Sequence, residues 1–537
     1  MVAGDLAAAL GVAPSSRSLH RNGLARAAVL AALLPLTACT VGPDFVPPAA
    51  PAVKHLAPAS TASRLSPGAG EPVQRFIEDQ PVSAQWWRLF RNPALDRVER
   101  EALAASPTLA AARATLAQAR EAVAVARGGY YPQVDLAASA ERQKGPPFAL
   151  GLLPSASQGL PIFNLYQVGP TVSFLPDAFG LTARTVEAQQ ALADTQEYQL
   201  AAARLTVTGS VATQALAIAS LRRQIEAVQA IVVEDRRNLA LVREARAAGR
   251  ANRSDELAAR TQLAEDRAAL PPLRAQCSTA QDALAVLVGR APTAWAPPRF
   301  DLDGFTLPAR LPVSLPSTLV RQRPDIQAAQ AQLHARSAAI GIATAQMYPS
   351  FPISASIGTA ALAATTLGTS RSIFWTLAGG LTVPIFHGGA LQAQRRTAVD
   401  AFHASLAVYR QTVLAAFGQV ADTLHALDDD AAFAAAERRA LDAAQAAADL
   451  QRIRYSAGRG RVLDLIEAER AAQRARIGYT NAQAQRDLDT ARLFVAMGGG
   501  WQDSAFGRSL CPDCGRRLRA GPLHAGLAVP QPSRGAK

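Results

Sequence analysis

Two periods alternate along the chain. Val134, Leu136, Ala138 and Ala140 trade places residue by residue with Gln133, Asp135, Ala137 and Ser139. Val168, Val172 and Phe174 do the same with Gln167, Thr171 and Ser173. Later, Phe351, Ile353, Ala355 and Ile357 alternate with Ser350, Ser354 and Ser356, and Trp375, Leu377, Leu381 and Val383 with Thr376, Ala378 and Thr382. A period of two sends successive side chains to opposite faces, so the pattern predicts four strands, each with one apolar and one polar or small face. Elsewhere the period is helical. Residues 181–246 and 389–455 carry Leu, Val and Ile at three- to four-residue spacing on an alanine background, which predicts two long helices suited to coiled-coil packing. Unbroken, either would reach ~100 Å. Pro271-Pro272 must kink the helix that returns from the first of them. Residues 40–80, rich in Pro, Ala and Ser, predict an extended leader with little structure of its own.

The pattern occurs twice. Ser106-Pro107-Thr108-Leu109 corresponds to Arg323-Pro324-Asp325-Ile326, and Tyr131-Pro132 to Tyr348-Pro349, both 217 positions apart. Phe179-Gly180 matches Phe386 and the following His387-Gly388-Gly389 at 207, while Gly249 and Asp255 match Gly458 and Asp464 at 209. The lost positions fall in GPPFALGLLPSASQGLP, read as a longer loop in the first copy, because loops absorb insertions and framework elements do not.

Four strands cannot close a barrel, and an open edge in lipid leaves backbone groups unpaired at several kcal/mol each. A soluble, half-buried sheet shares this strand pattern. Against it stands the N-terminus: Arg17, Arg21 and Arg26 lead into LARAAVLAALLPL and the small residues before Cys39, the form of a secretory signal. The cysteine after Leu36-Thr37-Ala38 resembles the bacterial lipoprotein box, which implies lipidation at Cys39. Several acyl chains give firm anchoring where one alone binds marginally. Thr40, rather than Asp, follows the cysteine, which in such lipoproteins implies export to the outer membrane. No later run of apolar residues is long enough for a transmembrane helix, so export and lipidation favour a membrane barrel shared between chains. Two chains would supply eight strands, filled by side chains; three would supply twelve, with room for a pore.

Composition adds little chemistry. Hydrophobic residues are 49% but aromatics 6%, and alanine-rich helices favour long shared seams over a compact aromatic core. The net charge of +13 would draw attention to nucleic acid, but the two ends supply +2 and +5 of it and the body has no basic stripe; no nucleic-acid partner is expected. Cys39, Cys277, Cys511 and Cys514 do not form a disulfide framework, and Cys511-Pro-Asp-Cys514 lacks a second pair for zinc. The histidines are dispersed, without HExxH, GxSxG or a phosphate loop, so the chain is not read as an enzyme. Asp428, Asp429 and Asp430 point in different directions on a helix and read as a solvated acidic turn.

Taken in order, a set of short motifs resembles the outer-membrane efflux proteins of the TolC/OprM type, in the NodT-like lipoprotein branch. They are Cys39-Thr-Val-Gly-Pro-Asp-Phe45, Trp86-Trp87-Arg-Leu-Phe90, Phe174-Leu-Pro-Asp-Ala-Phe-Gly180, Arg323-Pro-Asp-Ile326 and Ile340-Gly341 with Tyr348-Pro349. Val383-Pro-Ile-Phe-His-Gly-Gly389, Arg454-Tyr455-Ser-Ala-Gly458 and Met497-Gly-Gly-Gly-Trp501 complete the set. The resemblance implies a mainly α chain with membrane β structure: a homotrimer forming a 12-stranded outer-membrane barrel and a periplasmic helical barrel. Its divisions would be a signal peptide (1–38), a lipidated leader (39–85), two efflux repeats (86–297 and 298–501) and a disordered basic tail (502–537). The function implied is that of a passive exit duct in a tripartite efflux system. Its partners would be a periplasmic adaptor, an inner-membrane pump of the resistance-nodulation-division class and outer-membrane lipid. The covalent N-acyl and diacylglycerol lipid on Cys39 is expected, and no other cofactor. A lipid-anchored coiled-coil scaffold or adaptor without a pore is the rival reading.

The resemblance also assigns a periplasmic gate. Gly249 and Gly458 lie where paired helices reverse, and Arg246, Gly249, Tyr455 and Gly458 are the implied adaptor contacts. Asp464 and Glu467, three apart, share a helix face; matched to the family they point to the tunnel axis and form two acidic rings in a trimer. Such rings attract cations. Asp255 matches a residue that bonds the tip tyrosine, here Tyr455, while the family's arginine partner falls at Gly460, between Arg459 and Arg461.

Overall fold

The computed structural model describes residues 40–49, 51, 74–78, 80, 82–144, 162–313 and 316–503. The signal segment, Cys39, the middle of the leader, the loop at 145–161 and the tail with Cys511 and Cys514 lie outside the described residues. Two compact units divide the chain: one holds residues 1–45, 122–189 and 335–402, the other 46–121, 190–334 and 403–537.

In chain order the elements are β1 (Arg75–Glu78), α1 (Pro93–Ala105), α2 (Pro107–Gly128), β2 (Gln133–Lys144), β3 (Ile162–Phe174), α3 (Leu181–Ala247), α4 (Arg253–Ala268) and α5 (Leu270–Leu287). There follow β4 (Arg310–Val313), α6 (Pro316–Gln322), α7 (Pro324–Ala345), β5 (Ile353–Ala361), β6 (Ile373–Gly379), α8 (Ala390–Ser456) and α9 (Val462–Ala496). The duplication is exact to the residue in its longer helices, though α1 has 13 residues and its counterpart α6 only 7. Helices α2 and α7 have 22 residues each and begin with proline, whose fixed φ and missing N–H suit a first helical turn. Helices α3 and α8 run unbroken for 67 residues each. The returning helix is continuous in the second copy, whereas the first is split at Ala269 into α4 and α5. Pro271 and Pro272 supply the reason: neither can donate to the preceding turn.

In the first unit the four long strands form one antiparallel sheet in the order β2-β3-β5-β6. All four strands expected from the alternation are present. The second unit holds the main core. Aromatics are few, yet they converge there: Trp86 stacks on Phe494 with ring centroids 5.5 Å apart, and Phe90 packs edge-on against Phe305 at 6.4 Å. A compact aromatic knot therefore exists beside the alanine seams, contrary to what composition alone implied. Met497-Gly-Gly-Gly-Trp501 closes on it, with the Trp501 indole N–H donating to Gln322 O at 2.7 Å. Arg323, from Arg323-Pro-Asp-Ile326, chelates Asp325 at 3.0 and 2.6 Å and donates to Ala496 O at 2.9 Å, tying the start of α7 to the end of α9.

The leader is more ordered than its composition predicted. Its end forms β1, which pairs in parallel with β4, Phe76 opposite Leu311. Gln74 is fully buried; its amide N–H donates to Pro308 O at 3.1 Å and its oxygen accepts from Arg486 Nε at 3.0 Å. A four-residue strand is too short for alternation to register in a sequence.

Candidate functional site

The sheet sorts its two faces across all four strands. Val134, Val172, Ala355 and Leu377 stand in one cross-strand row, and Ile357 faces Trp375 on the same side. The row on one side of it is Asp135, Thr171, Ser356 and Thr376, and the row on the other side is Gln133, Ser173, Ser354 and Ala378. The apolar side is open: Leu136, Trp375 and Leu377 are 76%, 75% and 69% exposed. A soluble sheet buries that side against a second layer. Strands β2 and β3 have 12 and 13 residues, enough to span a bilayer at a tilt. Both outer strands, β2 and β6, keep one unpaired edge among the described residues.

The turns carry the candidate gate residues. Helix α3 ends on a left-handed Gly249, φ +71°, with Arg250 N–H donating to Ala245 O at 2.8 Å and Gly249 N–H to Arg246 O at 3.0 Å. Helix α8 ends identically on Gly458, φ +72°, with Arg459 N–H to Arg454 O at 2.9 Å and Gly458 N–H to Tyr455 O at 2.9 Å. This double bond pattern satisfies carbonyls left open at a helix end and needs a residue without a Cβ penalty. The glycine breaks are thus reversal points of helical hairpins.

The helices that follow differ. Helix α4 opens with a reciprocal cap: Asn252 Oδ1 accepts from Asp255 N–H at 2.9 Å, and Asp255 Oδ2 accepts from Asn252 N–H at 3.0 Å. Asp255 is therefore occupied within its own turn, and among the described residues no bond joins it to Tyr455. In α9 the corresponding cap position is Arg461, which gives no side-chain cap. Asp464 is consequently half-exposed with no partner among the described residues, and Glu467, one turn on, is exposed. Gly460 packs against the turn itself: a Cβ there would stand 3.0 Å from Tyr455 N.

Charge pairs that the sequence reading missed brace each hairpin. Arg246, Arg253 and Arg243 converge on Glu256, and Arg246 above all holds that carboxyl below its usual range. In the second hairpin Arg452 reaches Glu469 at 3.1 Å and Asp449 at 2.7 Å; burial nevertheless leaves the Glu469 carboxyl raised. Deeper in each seam two carboxylates face each other, and the outer member of each pair has its own partner: Gln262 donates to Asp266 at 2.6 Å, and Arg492 to Asp489 at 2.8 Å. Burial, with Asp266 of α4 facing it, pushes Asp235 of α3 up to about 7. Burial, with Asp489 of α9 facing it, does the same to Asp430 of α8, also to about 7. Asp235 Oδ2 and Asp430 Oδ2 are buried and accept from no donor, an arrangement that favours a proton held within each pair. Asp430 is thus not part of a solvated acidic turn; its side chain enters the seam, where only a facing helix could reveal it. No group of residues suited to a metal ion occurs among the described residues.

The profile of the family described as Outer membrane efflux protein matches residues 98–290 and 315–499. The pyoverdine export outer membrane protein OpmQ of Pseudomonas aeruginosa is 29% identical over 453 residues, covering 83% of this chain and 95% of that protein. Outer membrane protein OprJ of the same organism is 29% identical over 487 residues, covering 90% and 97%. The solved outer-membrane channel OprN superposes with a TM-score of 0.75 at 26% identity, covering 86% of this chain and all of that one. The chain belongs to the outer membrane efflux protein family.

Proposed function

We propose that three copies of the chain form the exit channel of a tripartite efflux system, joined to a periplasmic adaptor and, through it, to an inner-membrane pump. One observation carries this reading: a four-stranded sheet with an exposed apolar face and two open edges. Such a sheet is viable in lipid only when its edges pair with other copies. Three copies give twelve strands, between barrels filled by side chains and the wide porins. The row with Asp135, Thr171, Ser356 and Thr376 would then line the lumen. A coiled-coil scaffold without a pore has no use for that sheet. The N-terminus would be acylated at Cys39, with the hairpin turns at Gly249 and Gly458 meeting the adaptor.

Asp464 and Glu467 would form the periplasmic gate, repeated around the trimer as rings of carboxylate that concentrate cations. The uncapped turn before α9 supports this assignment, because Asp464 is not committed to a local bond. The test is single-channel recording from purified protein in planar bilayers. Conductance from a detergent-stable trimer is expected, with cation block weakened in the double variant Asp464→Ala, Glu467→Ala. Protein that stays monomeric in mild detergent and gives no conductance overturns the channel; an unchanged cation block in the variant overturns the gate.

A further inference from the structure

Within the first unit, residues 40–45 lie in a socket that nothing in the hairpins or the gate explains. Val41 N–H donates to Phe179 O at 3.2 Å. Arg184, on the first turn of α3, has a side chain only 5% exposed and spends its guanidinium on this segment. Its Nε donates to Val41 O at 3.2 Å, and its Nη2 to Gly42 O at 3.3 Å and to Asp44 Oδ1 at 2.8 Å. Its Nη1 donates to Glu187 Oε2 at 2.7 Å, which fixes the fork on its own helix. The fit is steric as well. Gly42, at φ +98°, lies so close to α7 that a Cβ on it would stand 2.5 Å from Gly341 Cα. A Cβ on Gly341 would stand 2.8 Å from Arg184 Cδ, and one on Gly180 2.9 Å from Thr40 Cα. Two glycines, Gly180 and Gly341, and one buried arginine thus grip a backbone that is itself glycine at the closest approach, and they come from both copies of the repeat.

The socket lies at the roots of the strands. Phe179 packs on Tyr348 with ring centroids 4.9 Å apart. Tyr131 and Tyr348 precede β2 and β5, and with Tyr130 and Phe351 they are exposed. Aromatic side chains exposed at strand ends are the usual marker of a membrane–water interface. Thr40 is held against Gly180 there, and the residue before it is one peptide step away, about 3.8 Å between Cα atoms.

We infer that Arg184 and Gly341 form a receptor for the chain's own residues 40–45, and that docking there sets the place at which the N-terminal acyl group enters the membrane. This rests on the proposed acylation of Cys39. A lipid on a free tether samples the whole reach of the leader; a lipid on a docked segment enters beside the strand roots. Arg184 is in this sense a positioning residue: it touches no lipid, and a lysine cannot replace it, since one ammonium does not reproduce the fork that takes two carbonyls and a carboxylate together.

The experiment feeds a diazirine-bearing palmitate to cells making the full-length protein, irradiates their outer membranes, and maps crosslinked peptides by mass spectrometry. In the natural protein the label is expected in the peptides containing Tyr130-Tyr131 and Tyr348–Phe351. In Arg184→Ala and in Gly341→Val it should leave those peptides and spread, with Arg184→Lys recovering little. Asp44→Asn keeps Arg184 and its carbonyl bonds, so it serves where the stronger variants do not fold, with a partial spread expected. Label unchanged in all these variants overturns the inference. Absence of any label in the natural protein removes the acylation reading instead, and amide exchange of the 40–45 peptide then decides on the receptor. Protection should fall at least about tenfold in Arg184→Ala, the loss of one or more charge-assisted hydrogen bonds; equal exchange overturns the receptor as well.

Discussion

Replacing Asp235 with asparagine should make the channel more stable at alkaline pH and leave it unchanged in acid. The native pair with Asp266 retains a proton up to about pH 7, whereas an unfolded aspartate releases it near the ordinary 3.8. Between those values the folded chain binds more protons than the unfolded one, so stability falls as pH rises, and it is fully present only below the lower value. A shift of about three units in a dry seam corresponds to ~4 kcal/mol; with Glu234 and Arg470 acting on the same carboxyl and water reaching the hairpin, ~1–2 kcal/mol is the working figure. An asparagine amide supplies permanently the N–H donor that the shared proton supplies below neutrality. The pair Asp430–Asp489, with Asp429 and Arg486 acting on Asp430, should respond the same way to Asp430→Asn. Thermal unfolding of the purified protein followed by helical circular dichroism between pH 5 and pH 8.5 measures the effect. The infrared band of protonated carboxyls should fall by one group per chain in either variant. A variant that is destabilised equally at every pH, or an infrared spectrum that does not change, refutes the shared proton.

Adjacent positions on β6 should behave oppositely: Trp375→Arg puts a charge on the apolar face at a cost of about 2–4 kcal/mol near mid-membrane and should abolish heat-resistant oligomers on gels, while Thr376→Arg should assemble normally. Glu99 is fully buried with no donor to either carboxyl oxygen, and burial raises its pKa well above the ordinary value. Glu99→Met should therefore stabilise the second unit, by about 1–3 kcal/mol near neutrality and less towards pH 4.5, as read from denaturant midpoints across pH. Arg461→Asn should rebuild in α9 the reciprocal cap that Asn252 and Asp255 make in α4, adding about 1 kcal/mol to the turn. Because the cap would occupy Asp464, amide exchange at the turn should slow and cation block should weaken; block unchanged in a demonstrably capped turn argues that Asp464 does not line the gate.

Much of the fold could be read before any coordinates because it is repeated. The same proline opening α2 and α7, and the same glycine ending α3 and α8, fix both copies to an identical length of helix. The strands were legible because each sits alone between lipid-like and water-like surroundings, which gives a clean period of two. Three kinds of feature were not legible. Strand β1 is too short for periodicity and depends on β4, more than two hundred residues away. The aromatic knot depends on which few aromatics converge, and composition counts them without placing them. Asp430 illustrates the third kind: from sequence it is one of three consecutive acids, and only the facing Asp489 distinguishes it from Asp429. The glycines marked both helix reversals, but the contrast between a capped Asp255 and an uncapped Asp464 depends on Asn252 and Arg461, whose types differ between the two copies.

The buried acids are better understood from the composition of the seams than as isolated oddities. An alanine contributes little buried area, so a seam of alanines holds two long helices together without strongly distinguishing one register from the next. Sliding α9 along α8 by one turn, about 5.4 Å, would change little apolar contact on the stretch nearer the turn, where α8 buries Ala431, Ala434, Ala435 and Ala448. It would also take Asp430 from Asp489 and Glu469 from Arg452, whereas Asp489 would keep Gln485 and Arg492 of its own helix. That loss is of order several kcal/mol, larger than the apolar difference between registers. In the first hairpin Asp235–Asp266 and the two α3 arginines on Glu256, Arg243 and Arg246, set the same penalty. Polar pairs that add little net stability can thus determine where each hairpin ends, and hence bring the turns at Gly249 and Gly458 to a defined depth along their helices.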